Sequence, residues 1–537
     1  MFEVWRRNIK ENLELVRAGR GPSLVSVVSG SESDRAYWQR HFEAVGGQVF
    51  NAEAAVPVYS FCERRPKGNF LGTLLAWAQI RGSEGAGAAL DSGVALMSMV
   101  FGKGKRLSPF TQSLGNRKPA FLTPRRAGDS GLYMNTADLS NLFSTSWVDH
   151  LREGGFRGLL VKWGDEAIIP GTLWPKGAQD FRDVDAVRFV WQTEPTETLA
   201  REKDWFLIDE QSGEITFALS RQEMDSLRSR LDGLARPGRQ AGVNLGSLAL
   251  SYDFLDLALD IFRDEVFAPS LSADWDPYVW LALFCRDESD WRAEQEHETR
   301  IGRSGIRALE ERFPDFYRKL ARLRRALAER TGRPLRVRAL NFGEAFWVDI
   351  GLHAPLRRCL ESLITDTEEG RASRDVFGIP HERDAKGNIL VNSSLPDAAD
   401  IRDSVVVDSV ILDPRAAVRG GVIVGSRLRS LRMPHGGSAL FCAADEMSFT
   451  GPRGIAFASV GPNVNVPEGG RHTTLWLPQG PQDFVSNEDI WDYGGENYQR
   501  PILGNPLSFE EAGELMSKVD GHELDARRGE ALRDWLR

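Results

Sequence analysis

Cysteine is scarce in this chain. Four residues in 537, Cys62, Cys285, Cys359 and Cys442, lie far apart with no CxxC pair. That excludes a zinc ribbon or a disulfide framework and fits a reducing compartment. Long hydrophobic runs are also missing. The longest mainly apolar stretch, residues 93–102, falls well short of the ~20 residues that cross a bilayer. The first twenty residues mix acids and bases at helical spacing and lack the apolar core of a signal peptide. Positive charge is not in excess either, since 67 Lys and Arg face 76 Asp and Glu for a net charge of −9. Such a surface does not favour nucleic acid or an anionic membrane as a general partner. The expectation is a soluble cytoplasmic protein in which any phosphorylated ligand meets a locally basic pocket.

What is present is an ordinary globular composition, 42% hydrophobic and 27% charged, over a length that implies two or three domains. Residues 1–20 read as an amphipathic helix. An apolar run at 23–30 follows, then a polar cap (Ser31, Ser33, Asp34) and a helical stretch, which together make one β/α unit. The same order recurs at 94–101, in the segment ending near Trp163, at 244–262 and at 336–351. Alternating strands and helices predict an α/β, Rossmann-like, mainly parallel sheet, whose ligands sit at the carboxyl ends of the strands. The polar stretch 371–400 reads as a linker. After it, β-branched triplets recur every six residues at 404–406, 410–412, 416–418 and 422–424, the pattern of a short hexapeptide β-helix. Residues 401–480 then form a β-rich domain that loses this phase after Arg429, and residues 481–537 form a helical C-terminal segment.

The most informative stretch is GKGKRLSPFTQSLGNRKPAF, residues 102–121, directly after a buried-strand candidate. Two glycines one residue apart, Gly102 and Gly104, let backbone N–H groups approach a phosphate chain. Lys103, Lys105, Arg106 and Lys118 supply the cations that a triphosphate needs.

Gly-x-Gly-x-Arg-Leu-x-Pro-x-Thr followed by Lys-Pro resembles the signature loop of the sugar-1-phosphate nucleotidyltransferases. Three later segments resemble the family in order: Gly164-Asp165 at a strand end, Asn244-x-Gly246 on a strand, and Phe346-Trp-Val-Asp-x-Gly351. The resemblance spans residues 93–430 and implies a catalytic domain at 93–370, with residues 1–92 as an elaboration packed on its sheet. It also implies a left-handed sense for the β-helix. The implied substrates are a nucleoside triphosphate and a sugar 1-phosphate, with Mg²⁺ held by Asp165 and Asp349. By the same resemblance Gly102, Lys103, Gly104 and Lys105 bind nucleotide, Arg106 and Lys118 handle the phosphates with Asp165, and Asn244 and Gly246 line the sugar site. The chain departs from the family at Lys105 and Leu352, where Thr is usual, and its Lys118 lies about two residues farther from the Thr. The family's Glu-Lys-Pro has only imperfect counterparts at 193–195 and 220–222. These departures keep a second reading open, a non-catalytic regulatory or assembly subunit.

Other features carry less. Residues 68–77 form a second Gly-Thr turn, either structural or a base- or phosphate-contacting loop. Residues 318–338 hold nine Arg and Lys against one acid, and read as a solvated helix face or, second, as an inter-subunit or anionic contact in a possible homo-oligomer. The EQEHE run at 294–298 cannot aim all its side chains at one ion, and His435 reads as a turn residue.

Overall fold

Strands buried on both faces have near-continuous apolar sequences, as parallel sheets covered by helices require. In β1 (Val25–Ser29) and β3 (Val94–Met99) every residue is buried. The computed structural model describes all residues except 64, 66, 92, 103, 129–130, 176, 178, 235–237, 270, 272–274, 491–494 and 536–537, and the side chains of 276, 277 and 490. It begins with α1 (Phe2–Arg17), β1, α2 (Glu32–Val49), β2 (Val58–Cys62), α3 (Gly68–Arg81) and β3. A small hairpin follows, β4 (Leu122–Arg126) and β5 (Tyr133–Asn135), then β6 (Gly158–Trp163), β7 (Glu166–Ile169), β8 (Ala186–Trp191), β9 (Trp205–Asp209), β10 (Ile215–Leu219) and β11 (Arg239–Ser251). After a helical region come β12 (Val337–Asn341) and β13 (Phe346–Asp349).

The main sheet runs β2-β1-β3-β6-β11-β8-β12, with β9 and β10 continuing from the far half of β11. Pairings among β2, β1, β3 and β6 are parallel, and β11 runs antiparallel to both its neighbours β6 and β8. The expectation that residues 1–92 pack on the sheet from outside needs correction. They enter it, because β1 pairs β3 on one side and β2 on the other. β1 (VSVVS) is buried at all five positions, Ser26 and Ser29 included, as a strand inside a helix-covered sheet is.

The expected linker at 371–400 is also different. The helix Glu368–Phe377, capped by Thr367 on the Gly370 N–H (3.1 Å), fills its start and packs against α1. Strand pairing resumes at Ile389–Val391. From there parallel strands stack in two sheets, one from Ile389–Val391 through Val405–Val407, Gly421–Val424, Gly437–Leu440 and Ile455–Phe457 to Gly470–Leu477. The registers Val405↔Val422, Val422↔Ser438 and Ser438↔Ile455 repeat every 16 or 17 residues. The stack therefore continues past Arg429, where the sequence phase is lost. Ala439, Ala443, Ala444 and Ala456 replace β-branched residues there, and all are fully buried. Corners are stitched by side chains at the same repeat: Ser393 Oγ accepts from the Ser409 N–H (3.1 Å), Ser409 Oγ from Ser426 (3.0 Å) and Ser426 Oγ from Cys442 (3.1 Å).

On the first of these sheets Val406, Ile423, Ala439 and Ala456 fill the inside of the stack. Val405, Val407, Val422, Val424 and Phe457 point the other way, into the core of the α/β region. Phe457 stacks on Phe121 with centroids 4.4 Å apart, and Tyr133 donates to Asp408 (2.8 Å). One apolar core thus joins the two halves. The C-terminal helices Phe509–Met516, with a capping box from Ser508 and Glu511, and Gly521–Asp534 return to the α/β region, where Asp520 meets Arg40 of α2 (2.7 Å). Among the described residues no helix is long and apolar enough to cross a membrane.

Candidate functional site

The loop after β3 turns on two glycines with positive φ, +111° at Gly102 and +59° at Gly104. A Cβ on Gly104 would lie 2.6 Å from Thr111 Cγ2 and 2.8 Å from Lys118 Cβ. The missing side chain is therefore what lets the loop close on both residues. Thr111 Oγ1 completes the closure by donating to the Gly104 carbonyl (3.2 Å). Lys103 lies outside the described residues. Lys105 and Arg106 are exposed on the loop. The Lys105 ammonium sits 4.9 Å from the Tyr498 ring centroid, while Arg106 makes no hydrogen bond or ion pair with a described residue.

Gly102, Gly104, Lys105, Arg106, Lys118 and Asp165 line one cavity of 920 Å³ at the carboxyl ends of β1, β2, β3 and β6. Asp165 follows β6 and pairs with Lys118. Burial pushes the Asp165 carboxyl up, but the charge and hydrogen bond of Lys118 outweigh this and hold it below the usual range. Asp349 ends β13, which pairs antiparallel with β7 so that Asp349 stands opposite Glu166, the neighbour of Asp165. The Asp349 carboxylate accepts the Gly351 N–H (2.7 Å). A Cβ on Gly351 would strike Lys118 Nζ and crowd Asp349 Oδ1, so that glycine leaves room for the two groups to converge. Glu166 itself is buried and pushed up to about 7, first by burial and then by Asp165 and Asp349, against the pull of Lys162.

Among the described residues no group of three or more His, Cys, Asp and Glu side chains gathers as a metal cage. Asp165 and Asp349 are two hard oxygen donors beside a phosphate-type loop. That donor set fits a Mg²⁺ ion that keeps most of its waters and takes further ligands from substrate.

The structure does not bring Asn244 and Gly246 into this cavity. They sit on a bulge of β11, where the register against β8 shifts between Asn244 and Leu248 and Gly246 takes φ +86°. Asn244 Oδ1 accepts from the Gly246 N–H (3.0 Å) and from Arg188 Nη2 (2.7 Å). Both residues line a second cavity of 260 Å³ with Trp163, Arg188, Asp204 and Ser220. The two cavities are neighbours, because Phe101 lines the first and packs edge-on against Trp163 of the second (6.4 Å). Of the two imperfect counterparts to the family's Glu-Lys-Pro, residues 220–222 reach this second cavity through Ser220 and Arg221.

Several lining residues escaped the sequence reading. Gly30, Ser31, Asp34 and Glu63 come from the first ninety residues. Ser31 caps α2 through the Asp34 N–H (3.1 Å), and Asp34 pairs with the buried Arg117 (2.7 Å). The strand-turn-cap pattern at 23–34 was the available signal. His353 links three parts of the molecule, since its ring meets the Ser108 carbonyl (2.8 Å) and accepts from Arg471 Nε (3.3 Å). Burial, and then Arg471, push it down to about 3.

Residues 68–77 form part of α3 and not a turn, and Asn69, Phe70 and Thr73 line the second cavity. The basic run is largely neutralised by partners, including Asp315 on Arg318 (2.7 Å), Asp253 on Arg330 (2.8 Å) and Glu214 on Arg336 (2.8 Å). Within EQEHE, Glu294 pairs with Arg230 (2.5 Å) while Glu298 accepts from Tyr278 (2.9 Å), so the acids serve different partners. His435 lies in a turn between strands. No protein-family model matches the chain, and a search of curated proteins finds no match.

Proposed function

We propose that the chain is a sugar-1-phosphate nucleotidyltransferase, an enzyme that makes a nucleoside diphosphate sugar. The observation that carries this reading is the convergence, in one cavity, of the glycine loop, whose Arg106 makes no ion pair with a described residue, and of the Lys118–Asp165 pair with Asp349 close behind. A phosphate oxygen of the sugar 1-phosphate attacks the α-phosphorus of the triphosphate. A new P–O bond forms, the bond to the bridging oxygen breaks, and pyrophosphate leaves. No nucleophilic side chain is required, only positioning and compensation of charge between two anions.

Arg106 clamps the β- and γ-phosphates, and the N–H groups around Gly102 and Gly104 cradle the chain. Lys118 neutralises charge at the α-phosphate. Asp165 and Asp349 would hold Mg²⁺, whose role when bound is to screen the phosphate charges. Asn244 and the bulge at Gly246 orient the sugar in the second cavity, beside Trp163. The C-terminal stack, with coils of 16 or 17 residues, is read as the left-handed β-helix that the resemblance implies. Its exposed edge and the helix Phe316–Thr331 are the candidate contact surfaces of a homo-oligomer, and the enzyme is assigned to the cytoplasm.

The test is pyrophosphate release with Mg²⁺ across a panel of nucleoside triphosphates and sugar 1-phosphates. Release with one pair is expected. Tight triphosphate binding without release from any pair would move the chain to the non-catalytic class of regulatory or assembly subunits. No binding of any triphosphate would overturn the reading.

A further inference from the structure

The cavity contains a charged group that the phosphate chemistry leaves unused. Glu63 follows β2, and its backbone N–H continues the pairing with β1 by donating to the Ser29 carbonyl (2.8 Å). Glu63 lines the 920 Å³ cavity and is 4% exposed. One carboxylate oxygen accepts the backbone N–H of Lys67. The other is buried with no hydrogen-bond partner among the described residues. Lys67 Nζ does not hydrogen-bond it, donating instead to the Ala268 carbonyl (2.8 Å) and the Glu265 carbonyl (3.3 Å). The helix behind leaves space for the group, since a Cβ on Gly72 would sit 3.1 and 3.2 Å from the two oxygens.

A structural anchor for the start of α3 would need only the oxygen that Lys67 already uses. An unpaired buried carboxylate is costly, and the cost is relieved by a ligand that brings donors. Each base presents a different edge to such a group. Guanine carries two adjacent donors, N1–H and N2–H, which match an ionised carboxylate in a bidentate pair. Uracil offers one N–H between two carbonyls that repel it. Adenine and cytosine set an acceptor beside their donor and would need a protonated acid.

We propose that Glu63 reads the base and that the nucleotide substrate is a guanine nucleotide. This rests on the nucleotidyltransferase reading and sharpens it from any triphosphate to one.

The test is calorimetry on the full chain at pH 8, where the Glu63 carboxyl is mainly ionised, with Mg²⁺ and GTP, ITP, ATP, CTP and UTP, repeated with Glu63→Gln. The expected wild-type result is tightest binding of GTP, with ITP weaker by about tenfold because it lacks the 2-amino donor. In Glu63→Gln the GTP advantage should fall by about tenfold or more and the GTP–ITP gap should close. The ITP comparison alters only the ligand, so it stands even if the variant folds poorly, which its thermal melt would reveal. A wild-type preference for another base, or equal binding of GTP and ITP, would overturn this assignment and leave the nucleotidyltransferase reading intact. Absence of binding by all five would overturn both.

Discussion

The two cavities that meet across Phe101 and Trp163 use arginine in opposite ways. In the loop cavity Arg106 is exposed and makes no ion pair with a described residue, and Lys118 stands against Asp165 at a strand end. In the smaller cavity Arg188 is 3% exposed, lies over Trp280 (4.9 Å) and Phe206 (5.4 Å), and spends a donor on Asn244. A cation held in reserve suits a polyanion that arrives with its own charge. A cation already stacked and hydrogen-bonded acts instead as scaffolding that fixes an amide, the geometry suited to a neutral polyol. The difference argues for one substrate in each cavity, meeting near Asp165.

Variants on either side should break this division in graded ways. Asp165→Ala removes the carboxylate at the meeting point, and turnover should fall by about a thousandfold or more with little change in melting temperature. Arg106→Ala should cost about a hundredfold in kcat/KM and raise KM for the triphosphate while sparing KM for the sugar phosphate. Asn244→Ala should do the reverse, raising KM for the sugar phosphate about tenfold. Steady-state pyrophosphate release with each substrate varied in turn separates the three.

The smallest effect concerns stability at Glu63. Burial pushes its carboxyl up to about 7, against the backbone hydrogen bond and charge of Lys67, the one charged group bearing on it among those described. A raised carboxyl keeps its proton longer in the folded state than in the unfolded one. Its penalty therefore grows as pH rises from the ordinary carboxyl range to about 7 and is constant above. Glu63→Gln should stabilise the fold at pH 8, by on the order of 1 kcal/mol, with the gain fading towards pH 4. A gain that is equal at both ends of this range would assign the effect to packing instead.

Much of this was legible in the sequence because it is local. The strand-loop pattern at 94–121, the Asp165 and Asp349 strand ends and the strand carrying Asn244-x-Gly246 all depend on neighbours within a few residues, whereas the bulge at 244–248 does not show in the sequence. What was not legible depends on long-range placement. The apolar run at 23–30 reads as a strand, but nothing in it says that the strand enters the main sheet beside β3 and brings Ser31, Asp34 and Glu63 to the cavity. The hexapeptide rhythm was readable only where valine and isoleucine mark it. It disappears where Ala439 and Ala456 fill the same positions, although the corner series Ser393, Ser409, Ser426 continues there at Cys442, whose N–H donates to Ser426 Oγ. Asn244 was expected in a sugar site and Arg106 at the phosphates, but that these are two cavities meeting where Phe101 packs on Trp163, residues far apart in sequence, is not visible in either motif.

The division between the cavities is tested most directly by a crystal structure with a non-hydrolysable triphosphate and a sugar 1-phosphate bound together. The account predicts the triphosphate along Gly102, Gly104 and Arg106 with its α-phosphate beside Lys118 and Asp165, and the sugar against Asn244 and Trp163. Density for both ligands in one cavity, or for the sugar phosphate away from Asn244, would contradict it.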